Sequence, residues 1–359
     1  MTFLGSRQQQ SSGNSGILMN KKYSKSSAHY LKTKADFFSA NADYLNKAIK
    51  QNKFYSTQPK REFCKLCGAN LPASVDFVSH GVGYVFCDDC SHLNGIYEDT
   101  KAYVEDLYIS DKGVEYASNY IDEQFEKRAV DIYLPKVDFL INTLPPKTNA
   151  ILDVGCGSGY FVFAALLRNL KPMGLDVSKT MVEFGNSQIE RLIGTAPLRF
   201  EQEEGFFEAI KNTDADIVSA IGVIEHLREP QKFFEAFKQS DAKYLYYSVP
   251  MASLSVVLEN VSEDVFPRQL SGGHTHLFTE DSISEMHRII GVSSIGEWRF
   301  GTDFMDLYRH LMVKLKSKNV SEKMIEFLYE GLGSKIDELQ NILDSNHSCS
   351  EIHVVAVKD

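Results

Sequence analysis

The stretch Ile151-Leu152-Asp153-Val154-Gly155-Cys156-Gly157-Ser158-Gly159 decides how this chain is read. An apolar run of strand length ends on an acid, passes through three alternating glycines, and opens a helix at Tyr160. Glycine lets the backbone turn sharply and lets a ligand come close, because no Cβ stands in the way. The G-x-G-x-G spacing differs from the G-x-G-x-x-G of dinucleotide sites, so no cradle for a pyrophosphate is expected. A second acid, Asp176, ends the next apolar run at 172–177. An acid there is placed to bind the two hydroxyls of a ribose.

Outward from this turn the rhythm continues. Residues 198–201, 215–220 and 244–249 read as strands, and 160–169, 179–192, 206–210 and 230–239 as helices. Strands alternating with helices predict an α/β fold, a parallel sheet with helices on both faces. Thr279 is read as the cap of a helix over 280–290, and 294–300 and 351–357 as further strands. The intervening insertion, 302–348, is helical. Asp303, Tyr308, Arg309 and His310 near its start are read as a solvated face, and Trp298, the only tryptophan, as packed. Upstream, residues 1–26 are rich in Ser, Gln, Asn and Gly and are expected to be a disordered tail. Residues 27–58 form a helical N-terminal segment, 59–98 a cysteine module and 99–146 a helical linker broken at Pro145-Pro146. The main domain takes 147–301 and 349–359. The basic residues of the early chain, from Lys21 to Arg61, are read as a solvated face.

ILDVGCGSGYF resembles the first motif of class I S-adenosylmethionine-dependent methyltransferases, and GLDVS resembles their second. DADIVSAIGVIEHLREP is similar to their fourth-strand motif through its Val-Ile-Glu-His-Leu core, and GGHTHLFTEDSI to the His-x-x-Phe-Thr segment after the fifth strand. The resemblance covers about residues 130–300 and the final strand. It implies a Rossmann-like class I methyltransferase sheet, mostly parallel with an antiparallel final strand. It also implies that Gly155, Gly157 and Gly159 line the methionine part of the cofactor, with Cys156 a small turn residue and not a reactive thiol. Asp153 would orient the turn and the cofactor's amino group, and Asp176 would hold the ribose. Val177 would pack beside the adenine, Glu201 or Gln202 would sit at its edge, and Ile221 would lie beneath the cofactor.

Cys64-x-x-Cys67 and Cys87-x-x-Cys90 are separated by 19 residues. Two such turns complete a tetrahedral zinc site, and four thiolates leave no open position, so a structural zinc-ribbon-like module is expected. His80 and His92 nearby are read as surface residues. A zinc module ahead of a methyltransferase domain resembles carbohydrate C-methyltransferases and a ribosomal-RNA guanine methyltransferase type.

A sulfonium methyl group is already a good electrophile, so the protein must mainly position the acceptor and exclude water. A hydroxyl or carbon acid also needs a base. Glu225 and His226 follow the fourth strand, and His274 and His276 follow the fifth. These four are the catalytic candidates, His226 first and His276 second, with a histidine titrating near about 6.5.

Thirty-eight basic against 48 acidic residues leave a net charge of −10, which disfavours broad binding to nucleic acid. No run of about 18 uncharged apolar residues is present to span a membrane. The N-terminus lacks the basic start and apolar stretch of a signal peptide, so a cytoplasmic location is expected. The expected activity is methyl transfer from S-adenosylmethionine to a small molecule, with a carbohydrate or nucleotide-sugar hydroxyl or carbon favoured. Two alternatives are an RNA methyltransferase gripping RNA with its zinc module and a non-catalytic cofactor-binding interaction protein. A homo-oligomer stays open.

Overall fold

In the computed structural model, which describes residues 19–27, 35–108, 124–270 and 273–359, the apolar runs form two sheets. Along the chain the strands are Asn20–Tyr23 (β1), Phe77–Ser79 (β2), Val82–Phe86 (β3), Leu93–Gly95 (β4), Ala150–Val154 (β5) and Lys171–Asp176 (β6). Leu198–Phe200 (β7), Ile217–Ile221 (β8), Tyr244–Pro250 (β9), His276–Leu277 (β10), Val292–Phe300 (β11) and Glu351–Lys358 (β12) follow. The large sheet runs β1-β11-β12-β9-β8-β5-β6-β7. Strand β12 is antiparallel to both neighbours, and the other pairings are parallel. This is the expected mostly parallel sheet with an antiparallel final strand.

Alternation along each strand loads both faces. Leu152, Val154, Val218, Leu245 and Tyr247 face a core shared with the helices Pro230–Gln239 and Glu280–Ile290. Ile151, Ile217, Tyr246 and Val355 face a second core with Phe139, Leu140, Phe161 and Trp298. Thr279 caps its helix as expected, in a reciprocal box with Ser282 at 3.2 and 2.8 Å.

Three features depart from the expectations. Residues 20–23, assigned to a disordered tail, form edge strand β1 beside β11. The Ser24 amide donates to Arg299 O at 2.8 Å, Trp298 Nε1 donates to Ser24 O at 3.0 Å, and the Lys22 ammonium lies 3.5 Å from the centre of the Trp298 ring. The open edge of β11 supplies backbone partners that the composition of the tail does not reveal. Residues 1–18 lie outside the described part, as do 28–34 of the N-terminal helical segment and 109–123 of the linker.

The start of the insertion is buried, not solvated: Asp303, Tyr308, Arg309 and His310 all lie inside. The insertion comprises helices Asp303–Ser317, Glu322–Gly331 and Ile336–Ser345. Asp303 Oδ1 accepts from Ser253 Oγ, Ser255 N and Ser255 Oγ at 2.5–3.1 Å. Arg309 pairs with Asp306, donates to Phe266 O at 3.0 Å and sits over the Phe266 ring. Charge is tolerated inside because Asp303 and Arg309 meet partners. Ser253, Ser255 and Phe266 come from the unforeseen helix Leu254–Val261 and its flanks, and Asp306 from the insertion helix itself.

The second sheet runs β10-β4-β3-β2. Its first strand, β10, comes from the main domain and pairs with β4 of the cysteine module. The module is therefore built onto the main domain by a shared sheet. Arg61, expected on a solvated face, is buried against Asp99 at 3.2 Å, and Lys65 reaches the same carboxylate at 2.6 Å.

The helix Lys179–Ile193 lies so close to the glycine turn that a Cβ on Gly185 would stand 2.4 Å from Ser158 O and 2.6 Å from Leu198 Cδ1. Glycine to alanine inside a helix ordinarily stabilises by about 1 kcal/mol. Overpacking against backbone opposes this with about 1–3 kcal/mol, and here it wins. Gly185→Ala is expected to lower the unfolding free energy in urea, by up to about 2 kcal/mol. A variant as stable as wild type would contradict this packing.

Candidate active site

The C-terminal ends of β5, β6, β8 and β9 open into a cavity of about 1020 Å³. In the turn after β5, Gly155, Gly157 and Gly159 have φ of 68°, 56° and 76°, a left-handed backbone that favours glycine. Asp176 holds that turn, and Asp153 at its foot ties β5 to β8. Asp176 Oδ2 accepts from Gly157 N at 2.7 Å and Oδ1 from Ser178 N at 2.8 Å, while Asp153 Oδ1 accepts from Ser219 Oγ at 2.6 Å. Burial pushes the Asp153 carboxyl up to about 7 against the Ser219 hydrogen bond, and the neighbouring Asp176 adds to the rise. Burial raises Asp176 as well, against its two backbone bonds.

Asp153, Gly155, Cys156, Gly157, Asp176, Val177, Gln202 and Ile221 all line the cavity, as their expected roles require. Gly159 does not. It caps helix Tyr160–Leu167, and a Cβ there would strike Leu198 at 2.6 Å. The wall fits a small polar cofactor. A Cβ on Gly157 would meet only Met181 Sδ, at 4.0 Å, so glycine keeps that space open. Ser158 Oγ is buried on the same wall and finds no hydrogen-bond partner among the described residues.

In the same cavity, a short turn, Ile224–His226, carries Glu225 and His226 off the end of β8. The loop before β10 brings His274 beside them. The His226 and His274 rings stack at 5.5 Å, and one ligand atom from each of Glu225, His226 and His274 lies within 4.8 Å of the others. His274 Nδ1 bonds Gln269 O at 3.0 Å, and His226 has a backbone hydrogen bond to Gly273. Burial lowers His226 to about 3, helped by His274, and lowers His274 to about 4, so neither titrates near the ordinary histidine value. Burial raises Glu225 to about 8.

His276 is not brought to this cluster. It sits in β10, 1% exposed, and shares a 2.8 Å hydrogen bond with His92 Nε2 through its Nδ1. Pairing of β10 with β4 holds it in the interface with His92, away from the cavity that His274 lines. His92 and His80 are buried, not on the surface. His92 packs edge-on against Phe278, and His80 Nε2 bonds Val265 O at 2.9 Å.

Residues 152–240 match a family model described as a methyltransferase domain. This chain carries a methyltransferase domain. It is similar to the solved structure of magnesium protoporphyrin IX methyltransferase from Synechocystis PCC 6803, at 15% identity over 72% of this chain and 100% of that one, with a TM-score of 0.46. A methyltransferase from Archaeoglobus fulgidus aligns at 15% identity over 66% and 100%, with a TM-score of 0.40. Geranyl diphosphate C-methyltransferase from Streptomyces coelicolor A3(2) aligns at 12% identity over 66% and 86%, with a TM-score of 0.38. Comparison with curated proteins finds no match. Among the described residues no helix is long and apolar enough to cross a membrane.

The methyltransferase wall includes charged residues that sequence reading did not single out. Lys136 lines the cavity although it is buried, and burial lowers it to about 8 against the pull of Glu351. Glu351 also lines the cavity. Burial would raise it, but the His353 hydrogen bond and the Lys136 and Lys25 ammoniums hold it at about 2. Lys136 left one signal in the sequence: in the helix Leu134–Thr143 it shares a face with Val137 and Leu140, where a solvated lysine does not belong. Lys25, from the expected disordered tail, left none.

In the cysteine module the four cysteines converge. Cys64 Sγ lies 3.7 Å from Cys90 Sγ, and Cys67 Sγ lies 3.6 Å from Cys87 Sγ. A tetrahedron of zinc–sulfur bonds of about 2.3 Å has sulfur–sulfur edges of about 3.8 Å. The four thiols therefore fit one zinc ion. Gly68 and Ser91, with φ of 76° and 57°, close the two knuckles, and their amides donate to the Cys64 and Cys87 carbonyls.

The protein purified without chelators is expected to hold one zinc in this cluster, and Cys64→Ser to lose it and melt at a lower temperature, because zinc binding energy is also folding energy. Absence of zinc by elemental analysis, with four reactive thiols, would exclude the site.

Asp153 gives a test with opposite signs. Its folded pKa lies above the unfolded value, so its stabilising contribution, full at low pH, is lost as pH rises from about 4 through about 7. Asp153→Asn removes that loss. Relative to wild type, the cofactor-free variant should gain melting temperature between about pH 5 and about pH 8. It should also bind S-adenosylhomocysteine at least about tenfold more weakly, as expected where a charged partner is lost. A variant that melts relatively lower at high pH would refute the first part.

Proposed function

We propose that this protein transfers the methyl group of S-adenosylmethionine to a small polar acceptor held against Glu225, His226 and His274. One observation carries the reading: a single cavity is lined both by the glycine turn with Asp153 and Asp176 and by this cluster. The cofactor would lie along the glycine turn. Asp153 would meet its amino group, Lys136 its carboxylate and Asp176 its ribose hydroxyls, with Val177, Gln202 and Ile221 around the adenine. Its sulfonium would then face the cluster, which handles the acceptor's proton. Water exclusion and alignment do the remaining work, since the bound cofactor supplies the electrophile.

The acceptor class we favour is a carbohydrate or nucleotide-sugar hydroxyl or carbon. Lys25, Arg128, Lys136 and Arg268 share the cavity wall with Glu105, Gln124 and Glu351, a lining suited to a hydroxylated and charged ligand. The net charge of −10 argues against RNA as the acceptor. The zinc module's role in this reading is architectural, through the strand it shares with the segment after His274.

Calorimetry should show S-adenosylhomocysteine binding to the wild type, and Asp176→Ala should weaken it at least about tenfold, since the ribose loses a charged hydrogen-bond acceptor. Glu225→Gln should keep cofactor affinity and lose about a hundredfold or more in turnover, the usual contribution of acid–base catalysis. No cofactor binding by the wild type would end the methyltransferase reading. Salt-sensitive retention on RNA would favour the nucleic-acid alternative.

A further inference from the structure

The cluster on the acceptor wall has a composition that acid–base chemistry alone does not require. Glu225 is 5% exposed and lines the cavity, and its Oε2 has no hydrogen-bond partner among the described residues. A buried carboxylate oxygen without a donor is costly unless a cation or proton meets it. Beside it stand two imidazoles. His274 bonds a backbone carbonyl, Gln269 O, through Nδ1, which leaves Nε2 for another partner. His226 has a backbone hydrogen bond to Gly273, and its Nε2 lies 3.8 Å from Glu225 Oε1. An imidazole held by its far nitrogen on a backbone carbonyl is the usual arrangement of a metal ligand, because the outer bond fixes tautomer and ring orientation.

We propose that Glu225, His226 and His274 bind one divalent transition-metal ion on the acceptor side of the cavity, with its open positions taken by an oxygen of the methyl acceptor. Two nitrogens and one carboxylate oxygen from one side are a facial donor set that suits borderline divalent ions and leaves sites for exchangeable ligands. The three donor atoms already lie within 4.8 Å of one another, so small side-chain shifts bring them to bonding distance. The site is distinct from the four-cysteine cluster, whose thiolates are soft and closed around one ion. Its neighbours supply the framework. Glu225 and His226 come from the turn after β8, and His274 from a loop fastened through Gln269 to Met251 O and Ser350 O at 3.0 Å each. The proposal deepens the methyl-transfer reading and rests on it for what the open positions face. Such an ion would hold the acceptor oxygen and make its proton easier to lose.

The test uses the full-length, zinc-loaded protein saturated with S-adenosylhomocysteine. Mn2+ is titrated by electron paramagnetic resonance, and Co2+ in parallel by its visible spectrum. Mn2+ has little affinity for thiolates, so it reports on the nitrogen–oxygen site. One further equivalent of at least one of these ions is expected. Its affinity should fall at least about tenfold in Glu225→Gln and in His274→Ala, as for lost metal-site interactions, with S-adenosylhomocysteine binding retained. Failure of both ions to bind, or binding that the two variants leave unchanged, overturns the metal site and leaves an acid–base cluster. Failure of S-adenosylhomocysteine to bind instead strikes the methyl-transfer reading, whatever the ions do.

Discussion

Two residues of backbone pairing hold this molecule's working parts together. His276 and Leu277 pair antiparallel with Asn94 and Leu93, and Thr275 O accepts from Gly95 N at 2.8 Å. On one side of this ladder Asn94 reaches the cysteine cluster: its Oδ1 accepts from Lys65 N at 2.9 Å and its Nδ2 points at Cys64 Sγ from 3.6 Å. On the other side, two residues before β10, stands His274. The buried His92–His276 pair seals the contact, and burial keeps both rings neutral. The cysteine knuckles are thus joined by one shared sheet to the segment that carries His274. The four-cysteine cluster supports the cavity wall without lining it.

The same loop is fastened from the opposite direction. Glu259, fully buried, accepts three backbone amides at 2.7 Å: those of Arg268 and Gln269 on Oε1 and that of Leu270 on Oε2. Arg268 and Arg309 both pair with Asp306, which comes from the insertion. His80 of the cysteine module adds its bond to Val265 O. A loop given so many charged partners inside the protein loses little entropy on meeting a ligand, which is what an aligned transfer needs. The insertion and the cysteine module thus act as two clamps on one segment.

The wall formed by the glycine turn shows the opposite arrangement, with acids that burial penalises. Asp153 and Asp176 sit about one strand apart in a buried corner, and burial works against the ionised form of each. Ser219, Ser178 and Gly157 supply hydrogen bonds that keep them oriented. The turn they hold contains left-handed glycines and a buried hydroxyl without a partner. Such features cost stability where no other contact offsets them.

The central sheet and its order of strands and helices could be read from local pattern. Helices 230–239 and 280–290 have the same bounds in sequence and structure, because a proline at the start, a capping threonine and apolar periodicity act locally. The cofactor-side acids and glycines were legible for the same reason, since a strand–turn–helix unit dictates where its ends point. Gly159 was misjudged within that unit because spacing does not distinguish a glycine that faces a ligand from one that faces Leu198. Contacts between distant segments were not legible. Strand β1 exists because β11 has an open edge, and Asp303, Arg309, His80 and His92 are buried because partners from far along the chain meet them. His276 and His274 differ by two positions, and only the pairing of β10 with β4 sends one into an interface and leaves the other on the cavity. Sequence alone determined the fold class and the grouping of the four cysteines, since these follow from short-range spacing. Which charged and imidazole groups share the cavity was decided by tertiary structure, because burial and pairing across more than a hundred residues leave no periodic trace.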